Sequence, residues 1–281
     1  ASDWLHALGD PAQIALVPGN HDACVAAPWQ STFALWQDYM ASDRDRDTPV
    51  RTPVFPSLRV RGNIAFIGLS TACPKPPLMA TGTLGKDQLN QLPDLLQHAA
   101  RERLFRVVYL HHCPVTGQEK WRKRLTDAPQ IQALLEEYGA ELVLHGHGHR
   151  AHFNELHSRV GAVPVIAVPS ASALGLHGAD IAQYNRYAVE RYDGGWELRI
   201  DSRRYQPDSG RFVEGDTKTL LSVPQTSTKH SARGQSIQPT LRGQFDIAIT
   251  CICHVVDDHQ RNNQVRRIGK ISANPEESPS L

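Results

Sequence analysis

Glu141-Leu142-Val143-Leu144 runs without a spacer into His145-Gly146-His147-Gly148-His149-Arg150. The first four residues suit a short buried strand, and the six after it are a polar cluster rich in imidazole and glycine. A strand that ends in such a cluster marks a site, because strand ends are rigid and the loops beyond them reach solvent. Just upstream, Ala128 to Tyr138 sets Ile131, Leu134, Leu135 and Tyr138 at i, i+3, i+4 and i+7, with Gly139 where a helix C-cap belongs. A helix therefore feeds this strand.

The same alternation continues outward. Arg106 to Leu110 is a strand ending at His111-His112. Lys86 to Arg103 carries Leu89, Leu92, Leu95 and Leu96 on one helical face, and Pro93 is expected to kink or restart that helix. Ile64 to Leu69 reads as a buried strand, Asp43 to Pro56 as a polar loop and Ser31 to Met40 as a helix. Gln13 to Val17 is a short β-type run stopped by Pro18-Gly19, and Asn20-His21-Asp22 follows in the loop. Trp4, Leu5 and Leu8 end a helix closed by Gly9. Downstream come strands at Pro164 to Val168, Arg186 to Tyr192 and Trp196 to Asp201, the last two joined as a hairpin through Asp193-Gly194-Gly195. The fold class is α/β.

Three polar clusters thus follow three predicted strands. His147 and His149 are two apart, so in extended backbone both imidazoles face the same way and converge. Neutral imidazole is a common ligand for zinc, manganese and iron. The Asn20 carbonyl is a hard donor that adds no negative charge to a site meant for an anion. Together they describe a transition-metal site.

Composition narrows the function. With 281 residues, 40% hydrophobic and 21% charged, the chain can bury a full core. A formal net charge of +1 gives no broad field for nucleic acid or an anionic membrane, so any phosphate binding must be local. Cysteines at 24, 73, 113, 251 and 253 are odd in number and scattered, which favours free thiols in a reducing, cytoplasmic setting. No apolar stretch approaches the ~20 residues that span a bilayer.

Gly19-Asn20-His21-Asp22, the strand ending in His111-His112-Cys113-Pro114, and Gly146-His147-Gly148-His149 resemble, in order and spacing, the GNHD, HHPP-like and GHxH blocks of calcineurin-like metallophosphoesterases. Gly82 to Leu89 also looks like that family's lead into a helix. The similarity covers roughly residues 1 to 205, and its nearest flavour is the bacterial cyclic-nucleotide phosphodiesterase-like branch. The resemblance implies a mixed two-sheet sandwich with flanking helices and a centre of two divalent or trivalent transition-metal ions, manganese, iron or zinc. It implies that Asn20, His111 and His147 ligate one ion and His149 the other, that His21 assists the leaving oxygen, and that Asp22 orients the His21 imidazole. The substrate is expected to be a small phosphate ester, and a diester before a monoester. Family members begin with strands ending in Asp-x-His and Gly-Asp. Neither block lies upstream of Asn20, so the first strands are expected to be missing and the chain as it stands to have little or no activity.

Plainer readings compete at several positions. His112, outside the ligand pattern, is expected to wall the cleft and touch substrate, as Arg150 would if it met a phosphate; a solvated arginine is the ordinary alternative. Cys113, where the family has proline, reads as a small buried filler. Asp10, after Gly9, is too close to Asn20 to be the Gly-Asp carboxylate. The domain is expected to span residues 1–205, with 206–281 a linker-like or poorly ordered tail, since 215–244 is rich in Ser, Thr, Gln, Gly and Pro. Cys251, Cys253, His254 and His259 lack a zinc-knuckle spacing. Two other functions stand beside the phosphoesterase: a non-catalytic binding protein that keeps the fold, and a metal hydrolase of amides or lactones.

Overall fold

Alternate residues of a strand face opposite ways, and the central strands of this chain bury both sets. The computed structural model describes residues 2–23, 26–43, 55–175, 180–192 and 195–222. In order they form α1 (Ser2–Leu8), 3-10 turns at Asn20–Ala23, Trp29–Ser31 and Phe33–Tyr39, β1 (Ser57–Arg61), β2 (Ile64–Leu69), α2 (Lys86–Arg101), β3 (Phe105–Leu110), α3 (Ala128–Tyr138), β4 (Leu142–His145), β5 (His152–Ser158), β6 (Gly161–Ala167), β7 (Gln183–Tyr192), β8 (Gly195–Gln206) and β9 (Arg211–Ser222).

Six strands make one sheet in the order β1-β2-β3-β4-β6-β5, and β7-β8-β9 make a second. The inner pairs β2·β3, β3·β4 and β4·β6 are parallel, while β1 and β5 close the edges antiparallel. The layering follows from β3. Phe105, Val107 and Tyr109 share an apolar layer with Tyr187, Val189, Leu198 and Ile200 of the second sheet. Val108 and Leu110 face the other way, into a layer with Leu92, Leu95 and Leu96 of α2 and Ile131 and Leu135 of α3. The result is a mixed two-sheet sandwich with helices on the outer face of the larger sheet. Four parallel strands consequently deliver their C-terminal ends to one side.

Several elements depart from the sequence reading. α2 runs unbroken through Pro93, because Leu92, Leu95, Leu96 and Ala99 anchor it to the sheet on both sides of the proline. The helix expected over Ser31 to Met40 is two 3-10 turns, with non-helical backbone at Trp36. Gln13 to Val17 joins no sheet. The Arg59 guanidinium, 5% exposed, donates instead to the carbonyls of Pro11, Ile14, Asp38 and Ala41 and so fastens this segment to β1.

The boundary expected at 205 falls inside β8, and β9 pairs with β8 from Gln206↔Arg211 to Trp196↔Ser222. The polar stretch at 215–244 overlaps β9 only as far as Ser222, and that part is an exposed strand, held by cross-strand contacts such as Phe212 with Tyr184 and Tyr205. Residues 223–281, with Cys251, Cys253, His254 and His259, lie outside the described residues, as do Cys24, the hairpin residues 193–194 and residues 44–54 of the predicted loop. Among the described residues no helix is long and apolar enough to cross a membrane.

Candidate metal centre

The site is assembled where β3 and β4 end. β3 leads into His111 and His112, and β4 into the 145–149 loop, whose Gly146 amide donates to the His111 carbonyl at 3.0 Å. Asn20 arrives on the first 3-10 turn, which the Asp22 carboxylate stabilises by accepting the Gly19 amide at 2.8 Å. Gly19 lies flat against His111. A Cβ there would come within 2.9 Å of the ring, so only glycine lets the turn approach so closely.

Three donor atoms meet at this point. Asn20 Oδ1 lies 2.9 Å from His111 Nε2 and 3.2 Å from His147 Nδ1, and the two ring nitrogens are 3.1 Å apart. Ligand atoms bound at about 2.1 Å and at right angles to one ion stand about 3.0 Å from each other, so the triangle has the size of one face of a coordination sphere. All three residues are buried. The other nitrogen of His147, Nε2, is buried with no protein partner, an orphan that calls for a bound species. Burial, and then the charges of His112 and His111, push His147 down to about 2, so its imidazole is neutral and keeps a lone pair at any ordinary pH. The donor set fits a transition metal.

His112 also has its ring nitrogens within ligand distance of His111 and His147. Both are already engaged. Nε2 lies 3.1 Å from the Ala80 carbonyl, which can only accept, so Nε2 carries the proton and Nδ1 accepts from the Thr71 hydroxyl at 2.7 Å. No lone pair is left for a metal. The ring is wholly buried, its centre 4.2 Å from that of His147 with the planes tilted at 41°, and pressed against Gly82, where a Cβ would collide with it. Burial lowers its pKa to about 3. The expectation that His112 walls the cleft and touches substrate is therefore corrected: a strand-end residue covered by the 80–82 segment has no open face.

The i, i+2 geometry expected for His147 and His149 is also replaced. β4 stops at His145, and both residues take left-handed backbone, φ 65° and 56°. Such backbone costs a residue with a Cβ roughly 1–2 kcal/mol and persists where its surroundings fix it. Here the Gly148 amide donates to Gly146 and the Asp180 amide to the His149 carbonyl. His149 is half-buried beside the triangle, near enough that its charge contributes to lowering His147.

The remaining predicted residues fall around this core. His21 is exposed on the same turn as Asn20, and Arg150 is exposed at the loop's far end. Cys113 is buried and pushed up to about 11 by that burial, a protonated filler. Asp10 turns back onto the Ala12 amide at 2.7 Å. Glu119 escaped the sequence reading because it lies in a loop with no motif. Its Oε1 stands 2.9 Å from where a Cβ on Gly148 would be, and burial raises its pKa against the opposing charges of Lys123, Arg150 and His152.

Residues 1–151, more than half of the chain, match the family model described as calcineurin-like phosphoesterase. Among solved structures, a Vps29 double mutant from Entamoeba histolytica is similar at 10% identity over 68% of this chain and 77% of that one, with a TM-score of 0.25, too low to carry an argument. No curated protein matches.

Proposed function

We propose that this chain, which belongs to the calcineurin-like phosphoesterase family, carries a site of the kind that hydrolyses phosphate esters with two metal ions, one of them held by Asn20, His111 and His147, and that the chain as it stands turns over little or no ester. The observation that carries the reading is the triangle of 2.9, 3.1 and 3.2 Å between their donor atoms. When bound, the cations offset phosphate charge and make a water acidic enough to attack phosphorus.

The protein's own groups supply the rest. Asn20 and the two neutral imidazoles hold a cation without cancelling its charge, which leaves that charge for the phosphate. His21 follows Asn20 on the 3-10 turn and is exposed, so it stands where it can give a proton to the departing oxygen. Asp22 fixes that turn through the Gly19 amide, which makes it a positioning residue for both neighbours. His149 serves the second ion, with the Glu119 carboxylate beside the intervening Gly148. Preference for diesters over monoesters rests on the resemblance of the three motif blocks to the cyclic-nucleotide branch.

Metal content tests the centre without depending on turnover. The chain is loaded with manganese, iron or zinc, dialysed and analysed beside Asn20→Ala, His111→Ala and His147→Ala. Each variant should retain less metal; turnover by the chain itself should be low, and within it bis(p-nitrophenyl) phosphate should be hydrolysed faster than p-nitrophenyl phosphate. Unchanged metal in all three variants overturns the ligand assignment; faster monoester turnover overturns the diester preference.

A further inference from the structure

Two turns stand side by side on the surface, each with a large apolar residue at its tip. The Met79 amide donates to the Pro76 carbonyl at 3.1 Å, closing a turn over Pro77 and Leu78. The Lys123 amide donates to the Lys120 carbonyl at 2.8 Å, closing another over Trp121 and Arg122. The two segments are laced together by the Ala80 amide on the Arg122 carbonyl at 2.8 Å and the Gly82 amide on Arg124 at 3.2 Å. Leu78 is 88% exposed and Trp121 61% exposed. Leu78 takes the third position of its turn at φ 68°, behind a proline, which makes this a type II turn; that position ordinarily belongs to glycine or asparagine. Leucine strains the backbone there and adds nothing to the core, so its side chain suits a contact outside the fold.

Around these tips the chain reads Lys120-Trp121-Arg122-Lys123-Arg124, with all five side chains exposed. Among the described residues none of the four cations forms an ion pair, and the half-buried Glu119 offsets only Lys123. The Arg122 guanidinium lies 4.9 Å from the centre of the Trp121 ring. In a chain whose net charge is only +1 this is a local concentration of positive charge, felt within a Debye length of about 10 Å at 0.1 M salt. Between the tips lies a cleft of about 390 Å³, walled by Leu78, Ala80, Trp121 and the stems of Lys120, Arg122 and Lys123, and its surface is mostly apolar. Hydrocarbon fills the middle of the patch and cations stand on its rim.

We propose that this patch docks the protein on an anionic lipid bilayer, with Leu78 and Trp121 entering the boundary between headgroups and acyl chains while Lys120, Arg122, Lys123 and Arg124 face the headgroup anions. Indole suits that depth, because its body is apolar and its N–H is polar. Basic residues beside exposed Leu and Trp are the pattern by which proteins lie on a membrane rather than span it. An acidic peptide would meet the same cations. Between the two turns, however, the facing backbone groups are already paired with each other and leave a peptide no strand edge to extend, whereas a bilayer needs none. The inference is independent of the metal centre, which lies behind Ala80 and the buried His112.

The test sediments the full chain with sucrose-loaded vesicles of phosphatidylcholine, with and without phosphatidylserine. The chain should pellet with the anionic vesicles at about 0.1 M salt and leave them at about 1 M, where the Debye length falls to about 3 Å. Neutral vesicles should hold little of it. Lys120→Gln combined with Arg124→Gln should weaken binding about 25-fold, about five-fold for each cation removed. Trp121→Ala and Leu78→Gly should each weaken it about ten-fold by withdrawing apolar surface from the interface. Leu78→Gly should do so without lowering the melting temperature, since glycine fits the turn, which separates loss of docking from loss of fold. Failure to pellet with anionic vesicles overturns the proposal, as does equal binding to neutral ones. Binding unchanged in both Trp121→Ala and Leu78→Gly also overturns it, because adsorption would then be by charge alone. Retention on immobilised polyglutamate without vesicle binding would assign the patch to an acidic polypeptide instead and overturn the lipid reading.

Discussion

The Thr71 hydroxyl, two residues past the end of β2, donates to Nδ1 of His112, two residues past the end of β3, at 2.7 Å. That bond separates the roles of two adjacent histidines. His112, with its other nitrogen on the Ala80 carbonyl, is a post under the site, while His111 presents Nε2 to Asn20 and His147. Thr71→Val should therefore cost stability, about 1–3 kcal/mol for a buried acceptor left unpaired, and leave metal content near that of the parent. His111→Ala should do the reverse to metal content, removing most of it. Thermal denaturation and metal analysis on the same two samples check both halves.

Acid should weaken the metal-stripped protein before its carboxylates titrate. Burial holds His112 down to about 3 and His147 to about 2, against an ordinary value near 6.5. Both folded values are depressed, so between 6.5 and 3 the unfolded chain binds protons that the folded chain does not. Stability is then complete above 6.5 and declines as pH falls, by about 1.4 kcal/mol per pH unit for each histidine once well below 6.5. Urea denaturation stepped from about pH 7 to pH 5 should show the midpoint falling. A flat profile there would mean that the two rings are hydrated in the metal-stripped state.

Much of this was legible in the chain because period-2 and period-3.6 patterns survive where one face is buried. β2 and α3 have the bounds their apolar patterns indicate, and the strand-end clusters of β3 and β4 lie where their runs stop. β5 was illegible for the opposite reason: exposed along most of its length, with His152, Asn154, Glu155 and His157, it carries almost no apolar signal. Asn20, His111 and His147 are grouped through the resemblance of their three motif blocks to a known family. The left-handed turns at His147 and His149 could not be read this way, since nothing in Gly-His-Gly-His distinguishes an extended run from a looped one. Glu119 reaches Gly148 only through tertiary folding, and no local pattern announces that approach.

Gly19→Ala should loosen metal binding while every ligand remains in place. The added methyl would stand 2.9 Å from the His111 ring, so either the imidazole or the Asn20 turn must shift. Displacing a ligand's support typically costs 10–100-fold in metal affinity. Competition against a chelator measures it directly, and an affinity equal to that of the parent would show that the turn can move without carrying Asn20 away from His111.

The opposite end of the same strands offers a contrast that separates fold from site. Arg106, at the start of β3, is 1% exposed and meets Glu141 through paired contacts, Nε to Oε2 at 2.8 Å and Nη2 to Oε1 at 2.8 Å. The Arg106 amide also donates to Oε2 at 2.7 Å, and Nη1 reaches the Tyr138 carbonyl at 2.9 Å. The pair thus ties the last turn of α3 and the approach to β4 onto β3. Glu141→Ala leaves a guanidinium in the interior without its bidentate acceptor, which should destabilise the protein by about 3–5 kcal/mol. Replacing both partners with apolar residues of similar volume should cost much less, because no stranded charge remains. The metal centre sits at the far ends of β3 and β4, so the folded fraction of either variant should bind metal with the parent's affinity. Chemical denaturation paired with metal titration below the unfolding transition decides the matter: a parallel loss of affinity and stability would mean that the ion pair sets the register of the strands that carry His111 and His147.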